Sequence, residues 1–185
     1  RDAAPGGRVE SLNLAWTAER IVRAGASLRD IHWQAVGTLP GVSGVSLQVN
    51  GDSDHLQMQV DSPHFALDAP QSLVEPVSAA LQGSLDIYPQ GQGWVLEAAP
   101  LSVKGDDFAA MLEGSVWWQN DGSRPFLDLR GEGAAGIPVS AAKHFWVLNK
   151  MPPKTVEWLN RALVDGHLNV ATALVHGDLD DWPFD

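Results

Sequence analysis

Polar and apolar residues alternate with period two along most of the chain, and Gly, Pro, Asn or Asp stops each run. Leu12, Leu14 and Trp16 alternate with Asn13 and Ala15; Val45, Leu47 and Val49 alternate with Ser46 and Gln48; Leu56, Met58 and Val60 alternate with Gln57 and Gln59. Successive side chains of a strand point to opposite faces, so each run predicts one dry face and one wet face. Asn50, Gly51 and Asp52 to Asp54 supply the turn chemistry of a hairpin between the second and third runs. Further runs at Ile31 to Val36, Phe65 to Ala69, Leu81 to Tyr88, Trp94 to Ala98, Leu101 to Lys104, Met111 to Gln119, Phe126 to Gly131 and Leu168 to Leu179 extend the pattern. The spacing predicts about ten strands in an antiparallel meander. Gly83, Gly114, Gly131 and Gly133, inside or at the ends of these runs, predict bulges or sharp twists.

One stretch changes period. Pro152 and Pro153 fit the first turn of a helix, where a missing N–H costs nothing, and Val156, Leu159 and Leu163 then recur at helical spacing until Gly166. Glu157 and Arg161 stand four apart in the favourable order. A second, shorter helix is expected over Ser140 to Trp146. The fold class is therefore mainly β: a long antiparallel, strongly twisted or bent sheet, with a short helical insertion at about 140–164. Residues 1–185 read as a single segment. With no starting Met, it reads as part of a longer protein.

Composition narrows the partners. Twelve Lys and Arg stand against 23 Asp and Glu, a net charge of -11, with no basic cluster. Nucleic acid is disfavoured, because phosphate binding rests on Lys and Arg. Attraction to anionic headgroups is disfavoured for the same reason. The absence of cysteine excludes disulfides, thiol catalysis and thiolate metal sites. No run of apolar residues is long enough to span a bilayer as a helix.

Candidate chemistry is sparse. The six His residues lack metal-binding spacing; His64 with Asp61 and Asp68 is the least poor grouping, and a polar strand end is the better account of it. Asp178, Asp180 and Asp181 lack the ordered spacing and central Gly of a calcium loop. There is no nucleophile elbow and no phosphate loop. No catalytic residue, metal or cofactor is assigned. The unusual residue is Trp, eight of them against one Tyr. Aromatics mark cores, interfaces and ligand clefts alike, and adjacent Trp117 and Trp118 must face opposite sides of a strand.

Two C-terminal stretches, Met151 to Gly166 (M-P-P-K-T-V-E-W-L-N-R-A-L-V-D-G) and His176 to Phe184 (H-G-D-L-D-D-W-P-F), resemble a region of the YhdP branch of the AsmA-like bacterial envelope proteins. Gly37 to Gly44 is similar to another stretch of that family, and the resemblance covers about Ser27 to Asp185. Trp182 stands where the family pattern has Phe. The resemblance implies an internal fragment of a long periplasmic protein, anchored in the inner membrane outside this segment. Its repeating β-groove units would form a bridge for phospholipid toward the outer membrane.

On this reading the segment is a non-enzymatic lipid-handling module. Its partners are phospholipid acyl chains and the flanking repeats of the same polypeptide, with no nucleic acid. The expected groove lining is Leu12, Leu14, Trp16, Val45, Leu47, Val49, Leu56, Met58, Val60, Leu85 and Ile87. A one-residue slip in register would move any strand's set to the other face. Two rivals stand beside it: a closed β-sandwich binding carbohydrate through exposed Trp and acidic side chains, and a structural or protein-interaction segment.

Overall fold

The computed structural model describes residues 3–37, 39–71, 73, 75–145 and 151–181. Eight consecutive strands follow one another as a meander: β1 (Gly6–Trp16), β2 (Ile21–Trp33), β3 (Gly41–Gly51), β4 (Leu56–Asp68), β5 (Val77–Gln90), β6 (Gly93–Lys104), β7 (Ala109–Gln119) and β8 (Phe126–Gly133). After β9 (Ile137–Pro138), a 3-10 segment (Val139–Phe145), helix α1 (Pro153–Ala162) and β10 (His167–Leu168), strand β11 (Ala171–Asp178) pairs with β8. The result is one nine-stranded antiparallel sheet in the order β1-β2-β3-β4-β5-β6-β7-β8-β11, with β9 and β10 forming a separate two-stranded ladder. The polypeptide between β8 and β11 is the helical insertion.

The hairpin expected at Asn50 to Asp54 joins β3 to β4. The Asp52 N–H donates to the His55 carbonyl at 2.8 Å, while Asp52 Oδ1 accepts from the Asp54 and His55 amides at 2.9 and 3.1 Å. Several expected runs are parts of longer strands. Leu56 to Val60 and Phe65 to Ala69 lie almost wholly in β4, and Trp94 to Ala98 and Leu101 to Lys104 are both β6. The run at Ile31 to Val36 ends earlier, at Trp33, and begins ten residues sooner, at Ile21. Leu168 to Leu179 is divided between β10 and β11.

These long strands bend where their registers shift. Shifts occur at Val9/Ser11 in β1–β2, Leu28/Ile31 in β2–β3, Ser43/Leu47 in β3–β4, Ser62/Phe65 in β4–β5, Gln82/Leu85 in β5–β6 and Ala98/Leu101 in β6–β7. Neighbouring shifts are in register with one another, so they form a crease across the sheet. Each inserted residue bends its strand and increases the local twist. Gly83 and Gly114 adjoin the crease, whereas Gly131 and Gly133 sit in regular pairing.

The crease has its own repair chemistry. Ser62 Oγ accepts from the Ser46 N–H at 2.8 Å and donates to the Ser46 carbonyl at 3.0 Å, standing in for the interrupted β3–β4 ladder. Ser46 Oγ in turn accepts from the Asp30 amide at 3.3 Å across the β2–β3 shift. Both serines are buried, where an unpaired backbone group would be costly. Gly44 holds φ +69, and a Cβ there would lie 2.0 Å from the His64 carbonyl oxygen, so the bend requires glycine.

A conventional core is nearly absent. Among the described residues, the buried hydrophobic side chains are Val60, Ala79, Val95, Phe108 and Ala141. Ala79, Phe108 and Ala141 form one cluster, with Val77, Val103 and Ile137 packed against it where the 3-10 segment meets the sheet. Helix α1 buries no residue, and its Val156 and Leu159 are only half-buried.

Candidate functional site: an uncovered apolar face

Residues paired directly across strands share a face, which lets the register define the surface. One cross-strand row runs Leu14, Ala24, Gly51, Leu56, Ile87, Leu96, Val116, Leu127 and Gly177. Beside it runs Leu12, Ala26, Val49, Met58, Leu85, Ala98, Gly114, Leu129 and Val175. Both rows are free of polar side chains from one edge of the sheet to the other. A third, shorter row, Leu28, Leu47, Val60 and Gly83, lies beside the crease.

The crease preserves this face. In β4, Leu56, Met58 and Val60 occupy even positions, but beyond the inserted residue Phe65 and Leu67 occupy odd ones. The same exchange of parity occurs in β3, where Val42 stands against Val45, Leu47 and Val49, and in β6, where Leu101 and Val103 succeed Leu96 and Ala98. Each extra residue flips the alternation, and the apolar side chains flip with it.

The structure places Leu12, Leu14, Trp16, Val45, Leu47, Val49, Leu56, Met58, Val60, Leu85 and Ile87 on one face of the sheet, by pairing and alternation. Leu12, Leu14 and Trp16 on β1 are 62, 46 and 72 % exposed. The rest are half-buried except Val60, which is buried beside the crease. No second layer of strands lies over them among the described residues. A closed sandwich would need such a layer.

The opposite face is mainly polar, apart from one row of Tyr88, Val95, Trp117 and Phe126. Its central row runs Asn50, Gln57, Asp86, Glu97, Ser115, Asp128 and His176. His55 meets Asp86 at 2.7 Å, His176 meets Asp128 at 3.3 Å, and Arg130 pairs with Glu132 and Glu113. The Tyr88 hydroxyl donates to Glu97 at 2.8 Å, and the carboxylate acceptor raises the phenol pKa. Hydrogen bonds from Ser27 and Arg29 lower that of Glu10. These groups are exposed, and they make the face wettable rather than reactive.

The tryptophans divide between the faces. Trp94 pairs with Trp118 on the apolar side, while Trp117 pairs with Val95 on the other, as strand geometry demands of adjacent residues. Trp33 is committed to structure, its indole donating to the Pro40 carbonyl at 2.8 Å. Trp158 is 60 % exposed on α1. Trp146 and Trp182 lie outside the described residues, as does the end of the expected Ser140 to Trp146 helix; its described part is the 3-10 segment.

Recesses of about 310, 190 and 440 Å³ lie at the bends and their loops, away from the two long rows. The two apolar rows run unbroken across the strands. Among the described residues no group of His, Asp and Glu is arranged to hold a metal ion, His64 with Asp61 and Asp68 included. No described helix is long and apolar enough to cross a membrane.

Sequence reasoning missed the crease serines and the role of Ala24 and Ala26, which continue the face across β2 with side chains too small to register as an alternating run. No curated protein and no solved structure matches the chain. The family model described as YhdP protein matches residues 1–185, and the chain that builds this bent sheet belongs to that family of AsmA-like bacterial envelope proteins.

Proposed function

We propose that this segment is a non-enzymatic stretch of a periplasmic lipid conduit, in which the apolar face shields phospholipid acyl chains between the inner and outer membranes. The observation that carries the reading is the pair of rows without a polar side chain across all nine strands, over which no second layer of strands lies among the described residues. At about 4.8 Å per strand, nine strands give a track of roughly 40 Å, longer than the roughly 30 Å hydrocarbon thickness of a whole bilayer. An acyl chain gains about 0.8 kcal/mol per methylene on leaving water for any apolar surface. A face open on one side buries only part of each tail, so the track offers somewhat less than the bilayer and nothing that traps a tail. Such a surface lets tails slide instead of holding them.

The flanking parts of the polypeptide are the other partner in this reading. Strands β1 and β11 are the sheet's edges, and each offers a row of backbone groups to a further strand. A neighbouring hairpin would prolong both the sheet and its apolar rows.

Photo-crosslinking of the full-length protein in cells tests the proposal. A photoreactive residue at Leu47, Met58 or Leu85 is expected to capture phospholipid, detected by mass spectrometry of the adduct. The same probe at Gln48, Gln59 or Ser84, on the polar face, is expected to capture none. Equal capture on both faces, or capture on neither, overturns the lipid reading.

A further inference from the structure

The apolar face is uncovered over most of its area but not all of it. On β5, Val77 and Ala79 continue the alternation of Leu81, Leu85 and Ile87, so they belong to the same face. There the 3-10 segment folds over, burying Ala141 to 1 % and Ala79 to 7 % exposure. Its root is fixed by the β9–β10 ladder and by the Val139 N–H donating to the Gly166 carbonyl at 3.1 Å. Its tip is held differently. His144 Nδ1 lies 3.3 Å from Glu75 of the β4–β5 loop, and its Nε2 lies 3.1 Å from Asp107 of the β6–β7 loop.

We propose that residues 137–145 are a hinged flap, clasped by His144 between Glu75 and Asp107, that opens and closes one margin of the apolar face. The inference rests on that face being a working surface. A permanent core element would be expected to seal itself with packed hydrophobic side chains. Here the tip carries Phe145, 51 % exposed, set edge-on to Phe108 at 5.0 Å, and its polar fastening is partly solvated. Partly exposed ion pairs are weak, which suits a fastening that must release. Phe108 is the seat: Gly105 lets its ring fold back, since a Cβ there would lie 2.1 Å from it.

The clasp has a charge logic. A protonated imidazole donates from both ring nitrogens and can serve Glu75 and Asp107 together, whereas the neutral ring has one N–H and serves one. Asp106 lines the same recess and adds a third carboxylate, and the flap's own cation is Lys143. A ring that donates from both nitrogens therefore holds the flap more firmly than one that donates from a single nitrogen. Opening would add Val77, Ala79 and Val103 to the uncovered surface.

These 185 residues contain no cysteine, so a thiol placed among them, in a protein freed of any cysteine elsewhere, reports this site alone. In the full-length protein, Ala79→Cys places a thiol under the flap, and Val60→Cys places one at a buried site of the same face beyond it. The rate of alkylation by a small maleimide is compared with and without His144→Gln at each pH. The expected result is at least a tenfold rise at position 79 with position 60 unchanged, larger at pH 6 than at pH 8, and reproduced by Glu75→Gln with Asp107→Asn. An unchanged rate at position 79, or a parallel rise at both positions, overturns the flap. The readout contains no lipid, so it stands or falls separately from the crosslinking result.

Discussion

Along β1, Leu12, Leu14 and Trp16 are between 46 and 72 % exposed, whereas at the margin of the β4–β5 and β6–β7 loops Ala79 and Phe108 fall to 7 and 9 %. Leu12, Leu14, Trp16 and Ala79 belong to one apolar face, and alternation alone does not distinguish them. The difference lies in what the chain does after β8: among the described residues it returns over one margin, at Ala79 and Phe108. Hydrophobicity decides which side of a strand avoids water. Topology decides whether anything comes to cover it.

That contrast can be broken most forcefully at the covered margin. Phe108→Ala is expected to lower stability by about 3 kcal/mol, the usual cost of deleting a buried aromatic ring, measured as a shift in denaturant midpoint at unchanged slope. Next comes the crease, which lets the face continue through the bend. Ser62→Ala leaves the Ser46 amide and carbonyl without their partner and should cost about 2 kcal/mol by the same measurement. On β1 the expectation reverses. Leu14→Ser should change stability by no more than about 0.5 kcal/mol, because its side chain is already half in water, yet it should reduce lipid capture at the neighbouring Leu12 position.

The mildest test concerns the β3–β4 turn on the uncovered side. Hydrogen bonds from the Asp54 and His55 amides hold the Asp52 carboxyl below the ordinary carboxylate range. Its contribution is complete above the unfolded-state value and disappears as pH falls through the lower folded one. Asp52→Asn should therefore flatten the acid limb of a stability–pH profile slightly and leave the neutral region nearly unchanged.

Much of the architecture was readable in the chain because a period of two needs no tertiary information. Leu47 and Val49, or Met58 and Val60, declare a face by themselves. The crease was also written there in part: apolar residues pass from even positions at Leu56 and Met58 to odd ones at Phe65 and Leu67 within what is one strand. That change of parity looks like two short strands unless an inserted residue is considered. The beginning of β2 was hidden because Ala24, Gly25 and Ala26 give little contrast between faces. The clasp could not be read at all, since Glu75, Asp107 and His144 meet only when two hairpin loops and the returning segment converge.

The alignment of the bends has a mechanical consequence. A flat ribbon of strands flexes easily between neighbours, but a ribbon folded along a line resists curling along that line, as corrugated card does. Six successive strand pairs share one such line, from Val9 in β1 to Leu101 in β6. The segment should behave as a stiff gutter over β1 to β7, and stiffness of this kind would carry over to a hairpin added at the β1 edge, which the line reaches.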